Sequence, residues 1–372
     1  MTSRDAALGR AGALLTIDLD AIVENWRRLA ARAAPAECGA VLKADGYGLG
    51  AVRIGTALAA AGARTFFVAH LDEAIALRAA LADARIVVLN GLLPGFAVEY
   101  VAHRLVPALN DPAEIAAWGT EARTLGTALP GFVHLDTGMN RLGLMPQDQD
   151  RLAADPTVLD GIAPLAWMTH LACAEDSEAL MNRAQLQQFR SAVARLPAAP
   201  LSIANSSAHF LGSDFQGDIT RPGAALFGLN PTPGQPNPMT DVVRLDARIL
   251  QTRRVDTPMT VGYGAAHRVE GPARIATIAI GYADGFLRSL SSRGAVRIAG
   301  FTAPIAGRIS MDLITVDVTH IPETLAVPGA LAEIIGPHLP VDRVAEAGGA
   351  IGYEILTGLG HRYARHYIGG AA

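Results

Sequence analysis

Lys43 is the only lysine of the chain; every other member of its 31 lysines and arginines is an arginine. A codon bias toward arginine and alanine accounts for the depletion but not for the survivor. On a solvated face arginine does what lysine does. Arginine cannot lose its proton near neutral pH, nor form an imine with a carbonyl. Lys43 is therefore a candidate covalent residue, and the plain alternative is a surface lysine that survived by chance.

The surroundings favour chemistry. Lys43 ends the apolar run CGAVLK (38–43), which reads as a buried strand. Gly46-Tyr47-Gly48-Leu49-Gly50 follows as a loop, then a helical run from 51 to 61. This makes one βα unit, and in parallel α/β folds the carboxyl end of the strand is where sites are built.

The rhythm repeats. Strand-like runs at 65–70, 84–90, 104–109, 131–138, 165–171, 201–207 and 217–223 each precede a helical or turn-rich run. Asn110-Asp111-Pro112 reads as a helix start with a capping residue and an early proline. Eight alternating units predict a (β/α)8 TIM barrel over residues 11–235, with a doubly wound open sheet as the structural alternative. Residues 14–30 read as an opening strand and a capped amphipathic helix. The proline-rich stretch 230–238 reads as a linker. Beyond it, short β-branched runs broken by glycines predict a mostly-β domain over 236–372, interrupted by a helical run from Val341 to Ala347. The fold class is thus α/β followed by β, and the first ten or so residues are expected to pack with the second domain.

In a barrel, the residues just after each strand face one mouth. They include Lys43 and Tyr47, Asp136 to Arg141, His170, Asn205 to Ser207, and Arg221 to Gly223. One amine, one imidazole, two guanidinia, hydroxyls and glycine amides then converge. A phosphorylated carbonyl cofactor needs such a set: the amine for the carbonyl, amides at a helix start and hydroxyls for the phosphate. This points to pyridoxal phosphate, although spacing alone does not prove it.

The ordered motifs AVLKADGYGLG (40–50), DTGMNRLG (136–143), TH (169–170), ANSS (204–207), RPG (221–223), VGYG (261–264), IGYADG (280–285), GRISMD (307–312) and GYE (352–354) resemble the alanine racemase family over nearly the whole chain. The resemblance implies a barrel, a C-terminal β domain, pyridoxal 5'-phosphate, alanine as substrate and a homodimer with shared active sites. It assigns Lys43 as the Schiff-base lysine and one catalytic base, and Tyr263 of the partner subunit as the opposite base. Arg221 would face the pyridine nitrogen, and His170 would hold Arg221 and Tyr263. Tyr47, Ser206, Tyr353 and the amides of Gly223 and Ala224 would hold the phosphate. Arg141 and the amide of Met311 of the partner subunit would contact the substrate carboxylate; Tyr282, Arg288 and Arg308 would shape the access channel.

Taken singly, each of these residues has a plainer reading as a core group, turn residue, helix cap or surface charge. The ordered set overturns those readings. The chain also departs from the family. His134 stands where many members carry a carbamylated lysine, Ser310 where cysteine is common, Asn140 where glycine is common, and Glu175 where some have aspartate. These departures bear on substrate range more than on reaction type.

Composition narrows the alternatives. The chain has 372 residues, 50% hydrophobic and 18% charged, enough for full cores. A net charge of −4 argues against nucleic acid or an anionic membrane as the main partner. No apolar run has the length of a membrane span, and the start lacks an export-type core, so a cytoplasmic location is expected. Cys38 and Cys173 give no disulfide framework and no zinc spacing. The competing functions are a racemase of serine, lysine or a broader range, a decarboxylase of the same plan, and a non-catalytic cofactor carrier. The last resembles the barrel alone.

Overall fold

The computed structural model describes residues 9–370. It divides into two compact units, Ile22–Thr240 and a second made of residues 9–21 with Asp241–Gly370. The expectation for the first ten residues lies mostly outside the described residues.

Ile22–Thr240 contains eight short parallel strands. They are Glu37–Cys38 running through Gly39 into Ala40–Val41, then Thr65–Val68, Arg85–Val88, Val106–Leu109, Leu129–His134, Ile162–Met168, Leu201–Ser202 and Ile219–Thr220. Seven pair in chain order. The eighth closes the ring. Ile219 and Thr220 pair with Glu37 and Cys38 on one side. On the other, the Asp218 amide donates to Leu201 O (2.7 Å) and the Arg221 amide to Ala204 O (2.8 Å). An open doubly wound sheet would leave two edges, so the barrel reading holds. The strands TFFV and VPAL are buried at every residue, as expected where both faces of a parallel sheet are covered.

Helices Ala51–Ala60, Leu71–Ala80, Ala97–Ala102, Pro112–Leu125, Pro146–Ala154 and Leu180–Val193 follow successive strands. Short 3-10 turns replace them after the last two, Ser207–Phe210 and Ser213–Phe215 after the seventh and Ala224–Phe227 after the eighth. Asp111 caps Pro112–Leu125 by accepting from the Ala113 (2.7 Å) and Glu114 (3.0 Å) amides, a contact worth about 1 kcal/mol.

In the second unit the long strand Val243–Val255 is the spine, pairing with Ala13–Asp18, Ala273–Ile278 and Leu331–Ile335. Ala13–Asp18, which the sequence reading puts at the start of the barrel, lies between Val243–Val255 and Ala364–Ile368 in this sheet. Its burial alternates residue by residue. That is the pattern of a strand covered on one face, not of a barrel strand covered on both. Helix Val341–Gly348 appears as expected, and a second, Gly352–Thr357, was not read from the sequence. No helix among the described residues is long and apolar enough to cross a membrane.

Candidate active site

The first strand ends at Val41, and the chain then turns in the left-handed region. Ala44, Asp45 and Gly46 have φ of 53°, 51° and 62°, and Tyr47 has φ of 56°. For a non-glycine residue that conformation costs roughly 1–2 kcal/mol, so neighbours must hold it. The Gly46 amide donates to Leu42 O (2.8 Å), Gly48 to Ala44 O (2.7 Å) and Gly50 to Asp45 O (2.8 Å). Asp45 Oδ1 accepts from the Ala51 amide at 2.8 Å, starting the next helix. The turn leaves Lys43 accessible at the barrel mouth and buries Tyr47. Desolvation, then the charge of Arg141, lowers the Lys43 ammonium from its ordinary value, with Glu73 pulling the other way.

The Tyr47 ring lies on Phe227, centroids 4.6 Å apart. A Cβ added at Gly223 would overlap the Tyr47 hydroxyl, so any larger residue there would push that hydroxyl aside. Ser206 Oγ accepts from the Gly223 (3.0 Å) and Ala225 (3.1 Å) amides. Between them, Ala224 opens a 3-10 turn, where an amide has no intrahelical acceptor. Hydroxyl, glycine and helix start thus meet at one place, the combination that suits a phosphate.

Arg221 is buried. Nη1 donates to Ser202 Oγ (2.5 Å) and Nη2 to Thr169 O (2.6 Å), with His170 Nδ1 3.5 Å from Nη2. Burial pulls its pKa down to about 9, still cationic at neutral pH. Desolvation, reinforced by the charges of Arg221 and Arg141, keeps the His170 imidazole well below its ordinary range and therefore neutral.

Asp136 shapes the loop that carries Arg141. Its Oδ1 accepts from the Gly138 (2.9 Å) and Met139 (2.9 Å) amides and Oδ2 from Asn140 (3.0 Å). The loop returns through Leu144, whose amide donates to His134 O at 2.7 Å. Arg141 stands exposed on it.

The remaining candidates lie in the β unit. Tyr263, 71% exposed, sits in the turn joining Met259–Val261 to His267–Val269. The Arg308 guanidinium packs on that turn, about 3.0 Å from where a Cβ on Gly264 would stand. Tyr282 and Met311 are held together, the Tyr282 amide donating to Ser310 O (3.0 Å) and Ala283 to Met311 O (2.9 Å). Arg288 opens a 3-10 turn joined to Ile309 through Ser291 Oγ. Tyr353 lies in Gly352–Thr357. The candidates thus form two groups, one per unit.

Sequence reasoning missed several residues that hold this machinery. Ser202 and Thr169 anchor Arg221. Asn110, read only as part of a helix start, holds His134. Glu73 joins the Lys43 turn to the next strand end; its spacing three residues after a helix start was the available signal. Arg362 ties Asp284 to Asp312, each at 2.7 Å, beside Met311.

Residues 17–231 match the family described as alanine racemase, N-terminal domain, and residues 242–367 match alanine racemase, C-terminal domain. An alanine racemase of Rhodospirillum rubrum is 48% identical over 362 residues, 97% of each chain. A catabolic alanine racemase of Agrobacterium fabrum is 48% identical, over 98% of this chain and 95% of that one. Among solved structures, alanine racemase from Bartonella henselae with covalently bound pyridoxal phosphate superposes with a TM-score of 0.94 at 42% identity. The match covers 96% of this chain and all of that one. Biosynthetic alanine racemase from Pseudomonas aeruginosa gives 0.87 at 35% identity, over 96% and 100% of the two chains. With both domains matched and close relatives spanning its length, the chain belongs to the alanine racemase family of isomerases.

Proposed function

We propose that the enzyme interconverts L-alanine and D-alanine with pyridoxal 5'-phosphate, using Lys43 and the partner subunit's Tyr263 as its two bases. The observation that carries this reading is the sole lysine standing at the barrel mouth beside a phosphate-shaped cradle. The residues present fit the cofactor. Gly223 leaves the space under the Tyr47 hydroxyl that a Cβ would fill, and the buried Arg221 has no carboxylate partner among the described residues. Tyr47, Ser206, Tyr353 and the amides of Gly223 and Ala224 would hold the phosphate, Lys43 the carbonyl carbon, and Arg221, steadied by His170, the ring nitrogen.

Bound there, the cofactor supplies an electron sink that makes the α-proton of an amino acid removable. The chain's own groups do the rest. Arg141 and the amide of Met311 of the partner subunit orient the substrate carboxylate. Lys43 Nζ handles the proton on one face and Tyr263 Oη on the other, which inverts the centre without rotating the substrate. Burial first, and then the charge of Arg141, lower the Lys43 ammonium's hold on its proton and so favour the amine that can accept one. Tyr282, Arg288 and Arg308 would line the access channel. The exposure of Tyr263, Tyr282 and Met311 supports a homodimer that covers them. A cytoplasmic enzyme of this kind makes D-alanine for peptidoglycan or degrades it, since the reaction is symmetric.

The test is a proton NMR time course in D2O with L-alanine and added pyridoxal phosphate, plus a chiral assay for D-alanine. Loss of the α-proton signal with D-alanine formation is expected, and Tyr263→Phe or Lys43→Ala should abolish both. Untouched L-alanine overturns alanine specificity. Serine, lysine and arginine in the same assay then distinguish a broader racemase or a decarboxylase from a carrier.

A further inference from the structure

We propose that Glu73 is a positioning residue for Lys43, its carboxylate pinning the left-handed turn beside the lysine to the loop after the second barrel strand. Glu73 Oε1 accepts from the Asp45 amide at 3.3 Å. Its Oε2 accepts from the Ala69 (2.9 Å) and His70 (3.1 Å) amides. One carboxylate thus joins two successive strand ends. Asp45 sits in the middle of the left-handed run, where a non-glycine residue is held only if its surroundings over-determine it. Its own carboxylate is turned away to the Ala51 amide, which leaves the backbone amide as the handle on this side of the turn.

The same carboxylate sets the charge balance at the amine. Burial first, and then Arg141 from the loop after the fifth strand, disfavour a protonated Lys43, while Glu73 favours it. His170, after the sixth strand, also feels the lysine's charge. Of these groups Glu73 alone is anionic. It therefore restrains both where Lys43 stands and how readily it gives up its proton. This inference rests on the reading of Lys43 as the cofactor-bearing amine.

The test exploits the absence of any other lysine. Reductive methylation with ¹³C-formaldehyde of the full chain, freed of cofactor with hydroxylamine, labels Lys43 and the α-amine alone. NMR then follows Lys43 through a pH titration in wild type, Glu73→Gln and Glu73→Ala. In parallel, hydrogen exchange of the holoenzyme is read on peptides covering 43–50. The titration midpoint of Lys43 should move to lower pH in both variants, a shift that a merely structural role would not produce. Exchange at Asp45 should quicken roughly two- to tenfold in Glu73→Ala. An unmoved midpoint or an unmoved exchange rate overturns the proposal. Neither readout depends on turnover. A wild type that forms no D-alanine would count against the racemase reading while leaving this coupling measurable.

Discussion

Asn110 holds His134 in one tautomer. Its Oδ1 lies 2.8 Å from His134 Nδ1, while its Nδ2 donates to Ala108 O (2.8 Å) and Leu89 O (3.2 Å). Two carbonyls can only accept, so the amide nitrogen must face them and the oxygen must face the imidazole. His134 then carries its proton on Nδ1 and presents Nε2 as an acceptor. Its Cδ2 edge packs against Gly143, in the loop that bears Arg141. Desolvation first, then the charges of Arg221 and Arg141, pull His134 down to about 4 against the opposing charge of Asp136.

His134 should therefore be neutral from pH 5 upward, with a protonated Nδ1 and a pyridine-like Nε2. Nitrogen-15 NMR of histidine-labelled enzyme, assigned with His134→Gln, reads both directly. A cationic ring at pH 6, or a proton on Nε2, would contradict the geometry. Asn110→Asp places a carboxylate on Nδ1 and should raise the titration point.

Most of the eight barrel strands were legible as short apolar runs followed by turn chemistry, and the two-residue strands Leu201–Ser202 and Ile219–Thr220 through the polar and glycine turns around them. Asp111 and Pro112 announce a helix start by local rules alone. Ala13–Asp18 misled, because its position before a helix looks like a barrel unit while its alternating burial is set by partners more than 200 residues away in sequence. Lys43 was legible as a lone residue type. Asn110 and Ser202 were not, since a short polar residue at a strand end looks the same whether it caps a helix or orients a catalytic neighbour, and the spacing of Glu73 marks it as a helix-start residue without showing that it also reaches the Lys43 turn. Their roles depend on which strand ends lie side by side, and that is tertiary information.

Gly223 is kept small by space, not by backbone strain, since its φ is −127°. Gly223→Ala should push the Tyr47 hydroxyl aside and disturb the amides that Ser206 accepts from. The expected result is a correctly folded protein that binds pyridoxal phosphate roughly tenfold more weakly or worse, a loss of about 1.4 kcal/mol. Equilibrium dialysis checks it. Unchanged affinity would mean that the cradle does not hold the phosphate. Ser206→Ala, which strands two buried amides, should weaken binding as well and lower the melting temperature.

Arg221→Lys keeps the charge but loses the fork. A single ammonium cannot reproduce the guanidinium's simultaneous contacts with Ser202 Oγ and Thr169 O. At least one buried acceptor then loses its donor, which costs about 1–3 kcal/mol. Urea unfolding of the cofactor-free chain should show a lower midpoint with an unchanged slope. A midpoint equal to wild type would mean that Arg221 is not part of the barrel's polar framework.

Stability should rise with pH between about 4.5 and 6.5. His134 and His209 are pulled down to about 4 mainly by burial, and His170 is held well below its ordinary 6.5. In this window the unfolded chain takes up protons on these rings and the folded chain does not. Their contribution is therefore full above pH 6.5 and is lost as the pH falls toward 4. Glu114 opposes them. Desolvation raises its carboxyl from 4.5 to about 7. The folded chain keeps that proton while the unfolded chain has released it, so this contribution is full below pH 4.5 and is lost as the pH climbs through 7. Asp241, its carboxyl raised by burial and then by the charge of Asp342, works in the same direction as Glu114, but three histidines against two carboxyls leave the histidines in control. The urea midpoint of the chain should climb from pH 4.5 to 6.5, and Glu114→Gln should steepen that climb by removing part of the counter-trend. The Glu114→Gln amide oxygen can still accept from the Asn110 amide, which donates to Glu114 Oε2 at 2.7 Å, so the variant should fold. A midpoint that is flat or falling across this range would show that the histidines are not neutral in the folded chain.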